Sequence, residues 1–413
     1  MTTHQAPRTV AEHLQAVLSL VTALPPVTVT LEDAAGMVLA HDVTSPDALP
    51  RFTNSAMDGY AVRAQDVAAA TPENPVTLRV VSDLPAGVDP DRAVEPGTAA
   101  RIMTGAPVPP GADAIVPVEQ TDAGTVTVSI RAAARPGAHV RRAGEDVAAG
   151  TVVLSAGQEL TPYRVATVAA LGRPEVVVHR RPHVVVLSTG SELVTPGTAL
   201  RPGQIPDSNS YLLAAAAHSA GASVHRLGAV PDDADSLRAV LEAQHPTADL
   251  IVTSGGVSQG AYDVVKEVLA PLPGMEFVPV AMQPGKPQGL GRLNDGTPVI
   301  ALPGNPVSAY VSFEAFVRPA LHAMRGLTGA ALHRPRLRAR ASEGWSSPVG
   351  REQHIPLALT DGPDGVEVRP SAVRGSGSHL VASLALADAL GIVPADVTAV
   401  EPGDEVTVVR IAP

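Results

Sequence analysis

The stretch LIVTSGGVSQG, residues 250–260, decides the fold of the middle of the chain. Residues 250–252 are a short apolar run, which is typical of a buried strand. Gly255 and Gly256 end that run in a loop, and the residues after it, as far as Lys266, are predicted to form a helix. An apolar strand that runs straight into a glycine loop and a helix is typical of an α/β domain with a largely parallel sheet.

The same pattern occurs twice more, once on each side of this stretch. Residues 183–187 lead into Ser-Thr-Gly-Ser-Glu at 188–192, and residues 299–302 lead into Pro-Gly-Asn-Pro at 303–306. Strand and helix patterns alternate from 183 to 325, which predicts one mostly parallel sheet. Loops that leave the carboxyl ends of parallel strands converge on one edge, and open α/β sheets bind ligands there.

Outside this region the sequence favours β structure. Residues 9–24 are predicted to form a helix, because Thr9 and Glu12 have the spacing of a capping box. From 27 to about 180, short Val- and Thr-rich runs alternate with Pro/Gly turns, and a helix is predicted at 162–171. After about 327 the chain is strand-like again. The strands predicted outside the α/β region are 76–81, 114–118, 125–130, 366–368 and 406–411, and an apolar run covers 380–390.

Composition limits the classes of function. There is no cysteine, which excludes disulfides, thiolate nucleophiles and cysteine metal sites. The net charge of −11 argues against general nucleic-acid binding, which needs a basic face. His-Glu-x-x-His, Gly-x-Ser-x-Gly, Walker A and Rossmann motifs are missing, so acyl-transfer and dinucleotide chemistry have no support. No apolar run reaches 18 residues, and we expect a soluble, cytoplasmic protein.

The basic side chains are unevenly distributed. Of the 30 lysines and arginines only Lys266 and Lys286 are lysines. Lysine offers a compact ammonium where arginine offers a flat fork, so both are predicted to lie where a point charge meets an anion. A codon bias towards arginine that left two lysines by chance would give the same numbers. The glycine loops beside both lysines favour the anion-binding interpretation.

The loop at 254–260 and the helix after it form the first candidate site. Glycines leave backbone N–H groups free to surround phosphate oxygens, although a lone Gly-Gly loop is more often an ordinary turn. Asp263 and Lys266 follow one turn apart, and a carboxylate can hold a divalent metal while a lysine neutralises a phosphate. Lys286 lies in a second loop, Gln283-Pro284-Gly285-Lys286-Pro287.

Three more candidate segments lie in the β-rich half. Residues 54–60 carry Asp58, but Asp-Gly is also a common hairpin turn. Thr104 begins the turn Thr-Gly-Ala-Pro, and Asp146 ends the turn Gly-Glu-Asp. On the residues alone, each of the last two is interpreted as a plain surface turn.

Taken in order, these segments resemble the MoeA/gephyrin E-domain family, the molybdopterin molybdenumtransferases. Each block alone is weak, but the ordered set is specific. The SGG block is also similar to the molybdopterin adenylyltransferases, which lack the N- and C-terminal blocks. The matching blocks are PRFTNSAMDGYAVR at 50–63, RIMTGAPVP at 101–109, GEDV at 144–147, LSTGSEL at 187–193, IPDSNSY at 205–211, SGGVSQGAYDVVK at 254–266, PGKPQGLG at 284–291 and LPGNPVSA at 302–309.

The resemblance implies a fold and a reaction. The expected fold is multidomain α/β plus β, with a central three-layer, mostly parallel α/β domain like that of MogA, a β-rich inserted domain and a small C-terminal β-barrel domain. The expected reaction is the insertion of molybdate into adenylylated molybdopterin with Mg²⁺ as cofactor, releasing AMP and molybdenum cofactor. The predicted boundaries are 8–25 and 181–328 for the molybdopterin-binding α/β domain, 26–47 and 148–180 for a linking β/α domain, 48–147 for the inserted domain and 329–413 for the C-terminal domain.

The resemblance also implies site residues, block by block. Glu192 and Asp263 are expected near magnesium, and the two lysines on phosphate or molybdate. Asp58 is expected to come from another domain. Asp232 matches a family acid, with Asp233 as the alternative. The expected catalytic residues are Asp58, Thr104, Asp146, Glu192, Asp263, Lys266 and Lys286. The expected substrate-binding residues are Ser188, Thr189, Gly190, Asp232, Ser254, Gly255, Gly256, Ser258, Gly260, Pro284, Gly285, Pro303, Gly304, Asn305 and Pro306.

Partners and alternatives follow from the same resemblance. It implies a homodimer with its site in a cleft between domains or subunits. Adenylylated molybdopterin and molybdate are the expected substrates, an adenylyltransferase or a molybdoenzyme acceptor is a further expected partner, and neither nucleic acid nor membrane is expected. The alternatives are a molybdopterin adenylyltransferase, favoured by the central domain alone, and a non-catalytic molybdopterin-binding scaffold.

Two residues depart from the family pattern. Many relatives have a lysine where this chain has Gln283, so the site has one cation fewer. Asp388 stands where an asparagine is usual. Either change would fit a paralogue with altered molybdate affinity or a shifted role.

Overall fold

The structure, a computed structural model, describes residues 6–244, 247–257, 263–362, 365–372 and 377–411. The chain divides into two units. The first unit consists of Met1–His41, Gly157–Thr161 and Glu175–Pro413, and the second of Asp42–Ala156 and Pro162–Pro174. The finer four-part division expected from the sequence stays a prediction.

The described residues form nine α-helices. Helices α7 and α8 are joined by a π-helical turn at Phe313–Val317. The helices are α1 (Val10–Leu18), α2 (Leu31–Ala34), α3 (Pro162–Ala170), α4 (Asn209–Ser219), α5 (Ala234–Gln244), α6 (Val264–Leu269), α7 (Pro306–Ser312), α8 (Arg318–Met324) and α9 (Val381–Ala385).

The strands fall into three groups along the chain. Those before residue 181 are β1 (Pro26–Thr30), β2 (Val38–Leu39), β3 (Val43–Thr44), β4 (Asn54–Ser55), β5 (Gly59–Val62), β6 (Val76–Leu84), β7 (Thr98–Ile102), β8 (Ala114–Pro117), β9 (Thr127–Ile130), β10 (Val140–Arg141), β11 (Val152–Leu154) and β12 (Glu175–His179). The middle group is β13 (His183–Thr189), β14 (Leu193–Val194), β15 (Ile205–Pro206), β16 (Ser223–Val230), β17 (Leu250–Ser254), β18 (Glu276–Pro279), β19 (Met282–Gln283), β20 (Pro287–Arg292) and β21 (Pro298–Leu302). The last group is β22 (Arg336–Ala341), β23 (Trp345–Ser346), β24 (Glu352–Gly362), β25 (Gly365–Pro370), β26 (Ala389–Val393), β27 (Ala399–Val400) and β28 (Glu405–Arg410).

The central sheet of the first unit has the strand order β16-β13-β17-β21-β20-β18. The first four strands are parallel, and β20 and β18 continue the sheet in antiparallel fashion. The predicted mostly parallel sheet is therefore confirmed. Loops after β13, β17 and β21 leave at the same edge, because these three strands are parallel neighbours.

Helices cover both faces of this sheet and make it three-layered. Alternate residues of β13, such as Val184 and Val186, belong to one buried cluster with Leu213 of α4. The residue between them, Val185, belongs to another cluster with Val265 of α6. Because these strands are buried on both faces, their residues are apolar without alternation, and the sequence contains continuous apolar runs.

The C-terminal strands close into a five-stranded barrel. The order is β24-β25-β22-β28-β26, and β26 pairs again with β24. The short strand β19, which belongs to the middle of the chain, adds to the outside of β24. The expected C-terminal β-barrel is confirmed. The apolar run at 380–390 supplies both the short helix α9 and the start of β26.

The second unit is built around a five-stranded sheet in the order β8-β5-β7-β6-β9. Three of the four neighbouring strand pairs are antiparallel, and the pair β6–β7 is parallel. Helix α3 lies where a helix was predicted. The fold class expected from the sequence, multidomain α/β plus β, is confirmed.

Helix α1 ends earlier than predicted. The capping box is present, since Thr9 Oγ1 accepts from Glu12 N and Glu12 Oε2 accepts from Thr9 N. The helix ends at Leu18 and not at residue 24, because Ser19 Oγ donates to the Ala16 carbonyl and the next backbone bonds tighten to i→i−3. In the part of the chain that the structure describes, no helix has the length and apolar character needed to cross a membrane.

Candidate functional site

Three loops meet at the carboxyl edge of β13, β17 and β21. A Cβ built on Gly255 would lie 2.7 Å from the Thr189 carbonyl oxygen, and one on Gly304 would lie 3.4 Å from the Gly255 Cα. Gly255 also has a φ of +101°, a conformation that side chains rarely allow. The glycines at these places let three backbones approach one another closely.

Asn209, the first residue of α4, joins two of these loops. Its Nδ2 donates to Ser254 Oγ at 2.9 Å and to the Gly304 carbonyl at 2.6 Å. Ser254 Oγ in turn donates to the Pro303 carbonyl at 3.2 Å. Both N–H groups of one amide are thus used to fix the loop after β17 against the loop after β21.

Several side chains at this edge are buried with unused hydrogen-bonding capacity. Within the described residues, no partner lies within hydrogen-bond distance of Ser188 Oγ, Thr189 Oγ1, Thr253 Oγ1 or Asn209 Oδ1. Buried polar groups normally have a hydrogen-bond partner, and an unpaired one needs an explanation such as a role in a functional site. The four atoms lie at the ends of β13 and β17 and on α4, around the loops just described.

Two carboxylates lie on the loops after β13 and β16. Glu192 is exposed, and its carboxylate folds back so that a Cβ on Gly190 would lie 2.8 Å from either oxygen. Asp232 Oδ2 accepts from Ser191 N at 3.0 Å, and Asp232 N donates to Ser191 Oγ at 3.1 Å. The reciprocal pair ties the loop after β13, which carries Glu192, to the loop after β16.

The neighbouring Asp233 makes its hydrogen bonds at the start of α5. Its Oδ2 accepts from Ser236 N at 2.8 Å in the first turn of α5. Hydrogen bonds from Ser236, the side-chain one first and then the backbone one, lower the pKa of the Asp233 carboxyl. The structure therefore separates the two candidates: Asp232 contacts the loop after β13, whereas Asp233 caps a helix.

Asp263 and Lys266 lie at the start of α6. Asp263 immediately precedes the helix, and Lys266 N donates to the Gly256 carbonyl at 3.1 Å. Both side chains are half-buried. The predicted Ser258 and Gly260 lie outside the described residues.

The loop that carries Lys286 is held from below by Gln288. Gln288 is fully buried, and its Nε2 donates to the Gly285 carbonyl at 2.7 Å and to Ser312 Oγ at 2.6 Å. Pro284 and Gly285 are buried while Lys286 is exposed. A fixed turn therefore presents the lysine.

The only two lysines of the sequence line one pocket. The pocket has a volume of about 270 Å³ and lies between α6 and the antiparallel strands β18 and β20. Its lining consists of Val257, Lys266, Phe277, Val278, Pro279, Lys286 and Pro287. Lys266 and Lys286 therefore line the same small pocket together with apolar side chains.

The Pro-Gly-Asn-Pro turn starts α7. Asn305 is the N-cap residue and Pro306 occupies the first helical position, where its missing N–H has no cost. Asn305 Nδ2 donates to Ser378 Oγ at 2.9 Å. Pro303 is buried and its carbonyl receives Ser254, as described above.

In the second unit, Asp58 and Thr104 are partners. Asp58 Oδ1 accepts from Thr104 N at 2.7 Å and from Thr104 Oγ1 at 2.8 Å. These bonds, the backbone one first, lower the pKa of Asp58. The turn is not a hairpin, because β4 pairs with β10 while β5 pairs with β7 and β8. Gly59 is required there, since a Cβ would lie 2.0 Å from the Val116 carbonyl oxygen.

Asp146 is exposed and sits in a turn tied to the segment before Asp58. Its backbone N–H donates to the Leu49 carbonyl at 3.0 Å, and Gly144 N donates to the Pro50 carbonyl at 3.0 Å. Asp58, Thr104 and Asp146 thus lie in the second unit. The other predicted residues that the structure describes lie in the first.

Both departures from the family pattern have structural partners. Gln283 Oε1 accepts from Arg351 Nη1 at 2.6 Å, so a guanidinium lies beside the position where relatives have an ammonium. Asp388 Oδ2 accepts from Leu359 N at 2.9 Å inside the barrel. An asparagine could accept the same bond through its oxygen, which makes Asp388 a structural residue of the barrel.

Sequence reasoning missed four residues at this site: Asn209, Thr253, Phe277 and Gln288. Gln288 had a signal, because it is the one amide in an otherwise apolar stretch from 287 to 291. Asn209 also had one, because it opens a helix directly after a turn. Nothing in the sequence marks Thr253 or Phe277, since threonine and phenylalanine are ordinary strand residues.

The carboxylates of the site offer part of what a divalent metal needs. Among the described residues, no group of three or more His, Asp or Glu side chains could hold a metal ion. Mg²⁺ is usually bound through one or two carboxylates, with waters and substrate phosphates completing the shell. Glu192 and Asp263 are of the right chemical kind for such a partial site.

Three family profiles cover most of the chain. They are described as "MoeA N-terminal region (domain I and II)", "Probable molybdopterin binding domain" and "MoeA C-terminal region (domain IV)", and they match residues 8–172, 185–323 and 338–411.

Similar proteins agree with these profiles. Molybdopterin molybdenumtransferase 2 of Mycobacterium tuberculosis (strain ATCC 25618 / H37Rv) is 50% identical over 407 residues, which are 97% of this chain and 99% of the relative. Molybdopterin molybdenumtransferase 1 of the same strain is 38% identical over 97% of this chain and 98% of its own length. A crystal structure of the molybdopterin biosynthesis MoeA protein from Pyrococcus horikoshii has a TM-score of 0.81 and 33% identity, and the match covers 98% of this chain and 99% of that one. The chain therefore belongs to the MoeA family, the molybdopterin molybdenumtransferases.

Proposed function

We propose that the protein inserts molybdate into adenylylated molybdopterin in a Mg²⁺-dependent reaction, in which the pyrophosphate link is cleaved and AMP and molybdenum cofactor are released. Family membership supports the general activity. The observation that supports the finer statement is the pocket of about 270 Å³ that Lys266 and Lys286 both line. Two ammonium groups in one cavity are expected to bind an anion.

Charge explains why this pocket matters. The chain has a net charge of −11, so its overall field repels both molybdate and a diphosphate. Local cations must overcome that repulsion where the two anions meet. A lysine places a compact charge on a flexible stem, which suits an oxyanion that changes position during a reaction.

The loops supply the second part of the proposed anion site. Gly255 and Gly256 both have positive φ, which turns successive backbone amides in directions that ordinary residues rarely allow. The unused hydroxyls of Ser188 and Thr189 lie at the end of the neighbouring strand β13. These groups would bind the phosphate part of the substrate through neutral donors.

Glu192 and Asp263 would hold Mg²⁺ from the protein side. When bound, the ion would neutralise negative charge on the diphosphate as its bond breaks. Asp232 orients the loop that carries Glu192 through its two bonds to Ser191. Asp58 stays a predicted catalytic residue, and its lowered pKa keeps it an acceptor, not a donor, of protons at neutral pH.

The direct test is turnover. Purified protein is incubated with adenylylated molybdopterin, MgCl₂ and molybdate, and AMP release and cofactor formation are followed together. We expect AMP to appear in step with cofactor, and only when Mg²⁺ and molybdate are both present. AMP at background would disprove the transferase reaction. Consumption of ATP with free molybdopterin would identify an adenylyltransferase instead.

Lys286→Arg tests whether the ammonium itself is needed. The charge is kept, but the flat and longer guanidinium is not expected to fit a turn held by Gln288, so turnover should fall by about tenfold or more. Arg338→Lys is the matched control, because it makes the converse exchange at an exposed residue of β22. Unchanged turnover in Lys286→Arg would show that an ammonium group at this position is not required.

The proposed partners follow from the substrate. Adenylylated molybdopterin must be delivered by an adenylyltransferase, and a molybdoenzyme must accept the product. The homodimer is a proposal that light scattering of the purified chain tests directly.

A further inference from the structure

Among the described residues that line the lysine pocket, Phe277 is the only aromatic one. It lies on β18, is half-buried and lines the cavity together with Lys266 and Lys286. The chain contains only four phenylalanines in 413 residues, so an aromatic ring at this position is not explained by a general abundance of such residues.

The ring is fixed against the neighbouring strand. Phe277 pairs in register with Gly289 of β20, and a Cβ on Gly289 would lie 2.8 Å from the Phe277 Cε1 and 3.0 Å from its Cδ1. The absence of a side chain at Gly289 therefore creates the space that the ring fills. The ring also packs against the buried cluster that contains Val265 of α6. Because Phe277 is held in this way and also lines the cavity, it offers a fixed aromatic surface on which a ligand ring can stack.

The rest of the lining divides the pocket into two parts. The ammonium groups of Lys266 and Lys286 suit an oxyanion, whereas Val257, Pro279 and Pro287 form an apolar wall with Phe277. A free oxyanion such as molybdate gains nothing from that wall, because its hydration would be lost without replacement. The pocket suits a ligand that joins a phosphate to a flat ring.

We propose that Phe277 stacks on a flat heteroaromatic ring of the substrate whose phosphate is bound by Lys266 and Lys286. The inference rests on the proposed function and deepens it, because it names the residue that recognises the non-phosphate part. Adenylylated molybdopterin offers two such rings, adenine and pterin, each linked to the diphosphate. Stacking of a base on an aromatic side chain strengthens binding on the order of tenfold.

The test measures dissociation constants of the full-length protein by calorimetry in the presence of Mg²⁺. The probes are AMP, ribose 5-phosphate, which lacks the ring, molybdopterin and molybdate. In the wild type, the ring-bearing probe should bind more tightly than ribose 5-phosphate. Phe277→Leu should remove that advantage, about tenfold, and Phe277→Trp should keep it. Binding of molybdate should not change in either variant.

The same experiment shows whether adenine or pterin stacks on Phe277. If Phe277→Leu weakens AMP but not ribose 5-phosphate, adenine stacks on Phe277. If it weakens molybdopterin and leaves AMP unchanged, the pterin stacks there. Unchanged binding of both AMP and molybdopterin would overturn the proposal. An equal loss for every probe, molybdate included, would also overturn it, because that is the result of a distorted pocket.

Controls keep the outcome independent of folding and of turnover. Phe277→Met keeps a long, adaptable apolar side chain without a flat face and replaces Phe277→Leu if the latter unfolds. Tyr163→Leu removes an exposed aromatic on α3 and should change nothing. Because every readout is a binding constant, absence of AMP release from the wild type would reject the proposed reaction and still leave the stacking of Phe277 measurable.

Discussion

At the scale of single residues, the Asp58–Thr104 pair shows how a carboxylate is kept ionised on an exposed turn. Two donors from one residue, the backbone N–H and the hydroxyl, bind the same oxygen of Asp58. Hydrogen bonds to the charged form lower the pKa of a carboxyl. A group held in this way can accept a proton or contact a cation, but it is a poor acid at neutral pH.

Replacing the hydroxyl tests that view. In Thr104→Val the backbone N–H still donates to Asp58, but the hydroxyl bond is lost, so the pKa of Asp58 should rise towards its usual value. A pH titration followed by carboxyl-carbon NMR measures the shift directly. Because the folded-state pKa is the lower one, the stabilisation from this pair is present above the unfolded-state pKa and is lost as pH falls through the folded-state value. An unchanged pKa in the variant would contradict the role of the hydroxyl.

The sequence could place these two residues but not their contact. Asp58 and Thr104 stand in separate blocks 46 residues apart, and nothing in either block names the other as partner. Their contact depends on the pairing of β5 with β7, and pairing between distant strands is not readable from local patterns. The same limit applies to Asn209, whose partners Ser254 and Gly304 are 45 and 95 residues away in sequence.

At the scale of elements, Asn209 couples the loops after β17 and β21. Asn209→Asp keeps the size of the side chain but removes both N–H donors. At neutral pH it places a carboxylate oxygen 2.6 Å from the Gly304 carbonyl, where both oxygens are acceptors. We expect kcat/KM for the anionic substrate to fall about tenfold or more, with part of the loss recovered at acidic pH as the new carboxyl takes up a proton.

Asn294→Asp is the matched control for that prediction. Asn294 is exposed in the turn between β20 and β21, and the substitution adds the same charge. It should leave kcat/KM and its pH profile close to those of the wild type. If Asn209→Asp gave the same profile as Asn294→Asp, the coupling of the two loops would have no effect on the reaction.

Elements with strong local signals were predicted well. The strands β13, β17 and β21 coincide with the apolar runs that precede glycine loops, because strands buried on both faces must be apolar throughout. The end of α1 was wrong by six residues. A serine that bonds to its own helix can end the helix while the apolar spacing continues, and the sequence does not distinguish these outcomes.

At the scale of the whole molecule, one buried and one half-buried histidine make stability depend on pH. His13 of α1 is fully buried edge-on to the Phe316 ring, and burial, with a smaller effect from Arg8, lowers its pKa to about 4. Burial likewise lowers the pKa of His322 on α8 to about 4. Between the unfolded value of about 6.5 and this value, the unfolded chain binds more protons than the folded one.

Stability should therefore fall as pH drops from about 6.5 to about 4, by up to about 3 kcal/mol for each histidine. His13→Leu should flatten this dependence, because a buried group without a hydrogen-bond partner among the described residues is replaced by an apolar one. Thermal midpoints at pH 7 and pH 5 measure the effect. His218→Gln, at an exposed position of α4, should keep the wild-type difference. If His13→Leu kept the wild-type difference as well, the effect of His13 would be refuted.

The architecture as a whole was more predictable than the site. Alternation of strand and helix indicated the central sheet, and the resemblance supplied the barrel. The two antiparallel strands β20 and β18, of which β18 is the edge strand, were not expected, because their sequences contain proline, and in β20 also glycine, and lack the long apolar run of a central strand. Those are the strands that complete the lysine pocket, so the site was least visible where the sheet departs from the simple pattern.

The addition of β19 to the outside of the barrel has a consequence for how this family can vary. Met282 and Gln283 pair with the first two residues of β24, and Lys286 follows three residues later. The position of Lys286 therefore depends on the position of barrel strand β24. A substitution deep in the seam between β24 and β26 can tilt β24 and so move the ammonium. Substitutions in the barrel are therefore expected to change the affinity for the anion as well as the stability of the fold.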